Sequence, residues 1–224
     1  MTQRWHDLLF IHLPLAPDML RPLLPAQLEL DTFDGQAWVG IIPFWVSHAS
    51  LRWVPPPPLL SRFPEINVRT YVTLRGIPGV YFFSLDAGNS VAVGAARTLL
   101  NLPYYSAQMA ADVHDNDVRY SSRRIAETDA AFEARYRGLG DTRKAPSGTL
   151  EHFLTERYCL YAVDHTFHAY RLEIHHPPWP LESAEADITT NTMADAAGIR
   201  LPSLAPLLHF AKRQDMVCWA PERL

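Results

Sequence analysis

The sequence predicts a β-rich α+β fold, on the basis of three observations. Alternation of polar and apolar residues recurs along the 224 residues, and Gly, Pro, Asn and Asp clusters separate the alternating segments. Segments with helical spacing are few and short. Many short strands joined by turns are typical of a barrel-like β architecture. Because a chain of this length needs no second hydrophobic core, we expect one domain over residues 1–224.

Composition narrows the class of protein. A hydrophobic fraction of 48% with 20% charged residues is typical of a folded globular chain. The net charge of −4, without a long basic run, argues against a nucleic-acid partner. The apolar stretch at 8–15 is interrupted by His12 and Pro14, and no secretory signal pattern is visible. We therefore expect a cytoplasmic protein without a membrane partner, and homo-oligomer formation stays open.

The clearest strand prediction covers residues 65–75. Glu65, Asn67 and Arg69 alternate with apolar residues, so their side chains share one face. The Gly-Ile-Pro-Gly turn that follows predicts a second strand at 80–86.

Local signals predict the remaining elements. Asp34-Gly35 predicts a hairpin between the alternating segments on either side of it. A short helix is expected at 16–25, and a helical turn at 149–155. We assign a strand to 91–95, followed by a turn or short helix near Arg97. Later strands are expected at 118–124, 131–137, 157–163, 167–175 and 215–220.

The segment Ala-Arg-Thr-Leu-Leu-Asn-Leu-Pro-Tyr-Tyr at 96–105 resembles the Gly-Arg-Glu…Gly-Phe-Pro-Lys-Lys motif of acetoacetate decarboxylases. Arg97 and Pro103 occupy matching positions, whereas Tyr104 stands where that family has its Schiff-base lysine. A phenol cannot form an iminium with a ketone. The resemblance therefore implies a related scaffold that lacks the family's nucleophile.

A closer resemblance is to the YqjF-like proteins, a family of unknown function within the acetoacetate decarboxylase-like superfamily. It extends over roughly residues 5–180. The shared phrases are Leu-Asp-Thr-Phe-Asp-Gly at 30–35, Asn-Val-Arg-Thr-Tyr-Val at 67–72, Phe-Phe-Ser-Leu-Asp at 82–86 and Leu-Pro-Tyr at 102–104. This resemblance implies an antiparallel β-barrel with a few short helices and an interior pocket.

The candidate catalytic residues are Glu65 and Tyr104. Glu65 corresponds to the active-site glutamate of the decarboxylases, and burial would shift its pKa and allow general acid or base chemistry. Asn67 and Arg69 are candidate ligand-binding residues because they share its face. The alternative is that this strand presents an ordinary polar face to water.

Arg97 and Tyr105 complete the candidate ligand-binding set. Arg97 could hold a carboxylate in a two-pronged contact, or it could be structural, paired with Glu65 or with backbone carbonyls. The sequence does not decide whether Tyr104 or Tyr105 faces the pocket.

We expect neither a metal nor a cofactor. Adjacent histidines on a strand point to opposite faces, and the two cysteines have no metal-like spacing. The residues concerned are His165, His168, His175, His176, Cys159 and Cys218.

The sequence favours a pocket that binds a small organic acid or carbonyl compound, without decarboxylase activity. A second hypothesis is a Schiff-base lyase that uses Lys144 or Lys212, the two lysines of the chain. A third is a non-enzymatic interaction module, with Trp45, Trp53 and the prolines at 55–58 as the contact surface.

Overall fold

A sheet that closes on itself dominates the computed structural model, which describes residues 1–50, 62–125 and 129–224. Its thirteen strands run in the order β13-β10-β9-β5-β6-β7-β8-β11-β12-β1-β3-β4-β2. The strands are β1 (Thr2–Leu15), β2 (Glu29–Leu30), β3 (Ala37–Ser50), β4 (Arg62–Leu74), β5 (Ile77–Ala87), β6 (Tyr104–His114), β7 (Asp117–Arg124), β8 (Ala131–Gly138), β9 (Cys159–Val163), β10 (Ala169–His175), β11 (Glu182–Asn191), β12 (Leu207–Cys218) and β13 (Glu222–Arg223). The helices are α1 (Pro17–Leu20), α2 (Ser90–Leu100) and α3 (Leu150–Thr155), with 3₁₀ turns at Arg21–Leu23 and Asp195–Ala197.

Closure of the sheet depends on β4 and β5. β4 pairs with β3 along one edge and with β5 along the other. β5 in turn pairs in parallel with β6 and with β9. Because β6 leads through β7, β8, β11, β12 and β1 back to β3, hydrogen bonding returns to β4 without an open edge.

Two hydrophobic clusters define the part of the core that matters for the site. The first cluster, which draws mainly on β1 and β3, contains Leu8, Phe10, Ile42, Phe44 and Trp179. The second cluster, around β5 and β9, contains Phe82, Leu85, Leu102, Leu160 and Leu172.

The strands predicted at 65–75 and 80–86 are confirmed as β4 and β5, and the helical turn at 149–155 is confirmed as α3. The later strand predictions correspond to β7, β8, β9, β10 and the end of β12. Local sequence patterns predicted no strand at β1, β6, β11 or β13.

The strand prediction at 91–95 is wrong, because these residues belong to α2. Asn89 is the N-cap, and its side chain accepts hydrogen bonds from the amides of Val91 and Ala92. The helix ends at Asn101, which adopts a left-handed conformation. These capping signals override the β propensity of the valines.

The Asp34-Gly35 turn forms, with positive φ at both residues and a bridge between Phe33 and Gln36. The predicted hairpin does not continue, because β2 pairs with β4 instead of β3. β2 and β3 lie end to end along the same edge of β4.

The predicted helix at 16–25 is shorter than expected. The α-helix ends at Leu20, and a 3₁₀ turn that contains Pro22 follows it. Proline has no amide hydrogen to donate to a continuing helix.

The buried ion pair between Asp86 of β5 and Arg124 of β7 generates a stability prediction. Arg124 donates to both carboxylate oxygens, at 2.8 and 2.7 Å. Asp86→Ala removes the carboxylate that receives these two bonds inside the protein, so we expect a loss of ~3–5 kcal/mol in the free energy of unfolding. Urea denaturation measures it. Glu185→Ala, which breaks the exposed pair with Arg137, is the control and should be close to wild type; an equal loss in both variants would contradict the argument.

Candidate functional site

A cavity of about 80 Å³ lies where the two hydrophobic clusters meet β4. Glu65, Asn67 and Arg69, which we call the polar stripe, line it together with Tyr104. Glu65 and Asn67 are each only 5% exposed. The face of the strand that could have been water-covered is therefore enclosed.

Strand register explains why Tyr104 joins the polar stripe. Leu85 of β5 pairs with Asn67 of β4 on one side and with Tyr104 of β6 on the other. Residues directly opposite each other in neighbouring strands point to the same face of the sheet. Asn67, Leu85 and Tyr104 therefore form one row of side chains directed into the cavity.

Tyr105 lies on the opposite face of β6. It pairs with Asp86, and the guanidinium carbon of Arg124 is 3.7 Å from the centroid of its ring. Tyr105 does not line the cavity. Of the two tyrosines, Tyr104 faces the pocket.

Glu65 is the group whose ionisation is most altered. Burial raises its pKa to about 8, and the negative charge of Asp86 adds to this effect. The Tyr104 hydroxyl donates to the carboxyl at 3.2 Å, which partly opposes the shift. No ion pair within 4.0 Å involves Glu65 in the described ranges, so no nearby cation offsets the desolvation that favours its protonated form.

Arg69 supplies the positive charge of the cavity. Its Nη2 donates to the main-chain oxygen of Leu154 at 3.3 Å, and its Nε is buried without a hydrogen-bond partner. Leu154 lies in the last turn of α3, where carbonyls have no partner within the helix. The hydroxyl of Tyr71 donates to the same carbonyl at 2.9 Å and lies 2.7 Å from Nε2 of His12.

The side-chain oxygen of Asn67 is also buried without a hydrogen-bond partner. An unpartnered buried polar atom costs free energy unless a ligand or a water satisfies it. Arg69 and Asn67 thus present unused hydrogen-bonding capacity to the same cavity.

Arg97 does not lie in the cavity, contrary to its assignment as a ligand-binding residue. It is exposed on α2, and its Nε donates to the main-chain oxygen of Tyr104. Of the two roles considered for Arg97, this geometry agrees with the structural one, in which the guanidinium bonds a backbone carbonyl. Because 91–95 is helical, Arg97 lies on the outside of a helix instead of a turn beside the pocket.

The residues of the two competing hypotheses lie elsewhere. Lys144 and Lys212 are exposed, and the ammonium of Lys212 is 2.7 Å from Asp7. Trp45 stacks on His6 at 3.8 Å between ring centroids. Trp53 and the prolines at 55–58 lie outside the described residues.

No three or more His, Cys, Asp or Glu side chains are grouped to hold a metal ion in the parts of the chain that the structure describes. His175 is exposed and its neighbour His176 is buried, which agrees with opposite faces of a strand end. Among the same residues, no helix is both long and apolar enough to cross a membrane.

The family follows from comparison with known proteins. The model of the DUF2071 family, described as an uncharacterised conserved protein, matches residues 2–215. The chain belongs to the DUF2071 family. A relative in Bacillus subtilis (strain 168), the uncharacterised protein YqjF, is 46% identical over 219 residues, which is 98% of this chain and 90% of the relative.

Solved structures similar to this DUF2071 protein show its fold. The enduracididine biosynthesis enzyme MppR with bound HEPES has a TM-score of 0.67 at 12% identity, covering 100% of this chain and 87% of MppR. An acetoacetate decarboxylase-like enzyme from Sphingomonas wittichii RW1 has a TM-score of 0.65 at 14% identity, covering 100% and 92%. The fold is therefore acetoacetate decarboxylase-like, as the sequence resemblance implied.

Sequence reasoning missed most of the apolar lining of the site in this DUF2071 protein. Trp5, Phe10 and Trp179 line the cavity, and Trp5 stacks on Trp179 at 6.0 Å. β1 directs Trp5 and then Leu8 and Phe10 inward, because the alternation changes phase at Asp7, which has a positive φ of 49°. A continuous apolar segment gives no periodicity from which this change could be read.

The raised pKa of Glu65 predicts a specific dependence of stability on pH. In the unfolded chain Glu65 ionises near its ordinary value of 4.5, and in the folded protein near 8. Between these values the folded state holds one more proton. The free energy of unfolding should therefore fall as pH rises through this window, by at most ~1.4 kcal/mol per pH unit from this group.

Urea denaturation at pH 5, 7 and 9 should show that Glu65→Gln loses less stability than wild type over this range. Glu185→Gln, an exposed control, should follow the wild-type curve. Parallel curves for wild type and Glu65→Gln would show that the carboxyl is ionised at neutral pH.

Proposed function

We propose that the cavity binds a small carboxylate or carbonyl compound, with Arg69 as the charged anchor. The observation that carries the proposal is the guanidinium of Arg69, which donates to a backbone carbonyl and keeps a buried Nε without a hydrogen-bond partner. No carboxylate of the described residues is within 4.0 Å of it. A bound anion would supply the missing counter-charge.

The other members of the site favour an anion or a carbonyl oxygen. Protonated Glu65 donates a hydrogen bond and adds no negative charge to the cavity. Tyr104 has a hydroxyl donor, and burial followed by the nearby Glu65 raises its pKa well above the ordinary value. The amide nitrogen of Asn67 can donate to such a ligand, whereas its unpartnered oxygen accepts and needs a donor.

A structural neighbour suggests which compounds to test first. The structure of MppR has been solved in complex with pyruvate. Its superposition covers 99% of this chain, with a TM-score of 0.66 and 11% sequence identity. At this identity the likeness extends to the fold alone. Pyruvate is a small 2-oxo acid with the carboxylate and carbonyl that Arg69, Asn67 and Tyr104 could hydrogen-bond.

Schiff-base chemistry is not part of the proposal. The residue at the lysine position, Tyr104, cannot form an iminium, and Lys144 and Lys212 are exposed. Any chemistry at this site would use Glu65 as an acid or base, since its pKa of about 8 lies near the working pH.

We expect no release of carbon dioxide from acetoacetate above the uncatalysed rate. The measurement is manometric or coupled detection of carbon dioxide with purified protein, in parallel with borohydride treatment and intact-mass analysis. A mass increase that matches a reduced adduct and disappears in Lys144→Arg or Lys212→Arg would identify a Schiff base and contradict this prediction.

Arg69→Ala should weaken the binding of pyruvate by at least tenfold, because losing a charged hydrogen bond costs ~1.5–3 kcal/mol. Arg69→Lys should restore little, since an ammonium cannot reproduce the planar donor pair of a guanidinium. Calorimetric titration measures both variants.

The matched control is Arg97→Ala, which removes a guanidinium close in sequence to the site but outside the cavity. Its affinity for pyruvate should remain within about twofold of wild type. Equal weakening by Arg69→Ala and Arg97→Ala would reject Arg69 as the specific anchor.

A further inference from the structure

The cavity has polar and apolar walls that come from different parts of the fold. β4 contributes the polar stripe, and Tyr104 extends it by one residue. The first and second clusters form the other walls, through residues such as Phe10 and Phe44 on one side and Leu160 and Leu172 on the other. A ligand with its charged group on the polar stripe must therefore place its remaining atoms against hydrocarbon.

Positive charge reaches the cavity from the side chain of Arg69 and from the N-terminus. Among the described lining residues, Arg69 is the only one with a positively charged side chain. The α-amino group of Met1, which also lines the cavity, donates to the main-chain oxygen of Cys218 at 2.7 Å. Away from these two groups, a second carboxylate on the ligand would face leucine, isoleucine and aromatic side chains.

We infer that the ligand is a monocarboxylate or 2-oxo monocarboxylate with a short, uncharged apolar tail. This inference rests on the proposed function, because it takes Arg69 as the anchor for the head group. The volume of about 80 Å³ is below the ~300–1,000 Å³ of pockets for drug-sized ligands, so the tail is short.

Two physical effects select this class. Each methylene of the tail that leaves water for the clusters tightens binding by about fourfold, which corresponds to ~0.8 kcal/mol. A second carboxylate buried there without a partner loses its hydration and gains no counter-charge. Monocarboxylates with an apolar tail are therefore preferred over acetate and over dicarboxylates of the same length.

The test is a calorimetric series on the wild-type protein with acetate, butyrate, 3-methylbutyrate, 4-methylpentanoate, pentanoate and glutarate. We expect 3-methylbutyrate to bind at least tenfold more tightly than acetate. Glutarate should bind at least tenfold more weakly than pentanoate, which has the same number of carbons. Because Trp5 and Trp179 line the cavity, a change in tryptophan fluorescence provides a second readout.

Shortening one side chain of the apolar wall tests whether the preference for a longer tail comes from contact with that wall. Leu102→Ala shortens a lining side chain of the second cluster, and Leu204→Ala removes an exposed leucine outside the cavity. Leu102→Ala should weaken 3-methylbutyrate at least fivefold and leave acetate within twofold, whereas Leu204→Ala should change neither. If Leu102→Ala lowers the melting temperature too far for titration, Leu102→Met tests the same wall with its volume conserved.

The outcomes separate the inference from the proposed function. One contrary outcome is that acetate and its homologues all bind through Arg69 with the same affinity, and another is that glutarate binds as tightly as pentanoate. Either result rejects the tail preference and leaves the anion site in place. If none of the acids or 2-oxo acids binds at millimolar concentration, the proposed function fails, and this inference fails with it.

Discussion

The pairing of β4 with β3 on one edge and β5 on the other encloses the polar stripe, and the properties of the site depend on this enclosure. On an open sheet Glu65 would ionise near its ordinary pKa. Inside the closed sheet, burial raises that pKa to about 8 and leaves Arg69 as the charged side chain that faces the cavity. One topological fact thus sets both the protonation of the acid and the electrostatic character of the pocket.

Tyrosine at position 104 has a second consequence beyond the loss of a nucleophile. An ammonium at this position would favour the ionised form of Glu65, because opposite charges at this range lower a carboxyl pKa. The phenol of Tyr104 donates one neutral hydrogen bond at 3.2 Å, and this is too weak to offset desolvation. With tyrosine at position 104, the pocket is therefore suited to hydrogen bonding and has no amine for a covalent adduct at this position.

Arg69 is held in place by a hydrogen-bond acceptor that it shares with Tyr71. Arg69 and Tyr71 both donate to the carbonyl of Leu154, and Tyr71 also contacts His12. Burial, together with the charge of Arg69, lowers the pKa of His12 well below its ordinary value, so this ring is neutral at physiological pH. The backbone of β3 packs closely against the His12 ring at Gly40, where an added Cβ would lie 3.1 Å from the ring. This close packing also limits the movement of His12. The position of the guanidinium is thus set by packed and hydrogen-bonded groups that do not line the cavity.

The sequence by itself determined the alternating strand β4, the β5 strand that follows it, and the placement of Glu65, Asn67 and Arg69 on one face, because alternation is a local property of the chain. By its resemblance to the decarboxylase motif, the sequence also placed Tyr104 at the position of that family's Schiff-base lysine. Only the tertiary structure decided that this face is enclosed, that Tyr104 and not Tyr105 points inward, and that Arg97 lies outside on a capped helix. These depend on strand register, on a β5–α2–β6 connection and on a change of phase in β1 at Asp7. Strand register and closure of the sheet join residues distant in sequence, so no local pattern encodes them.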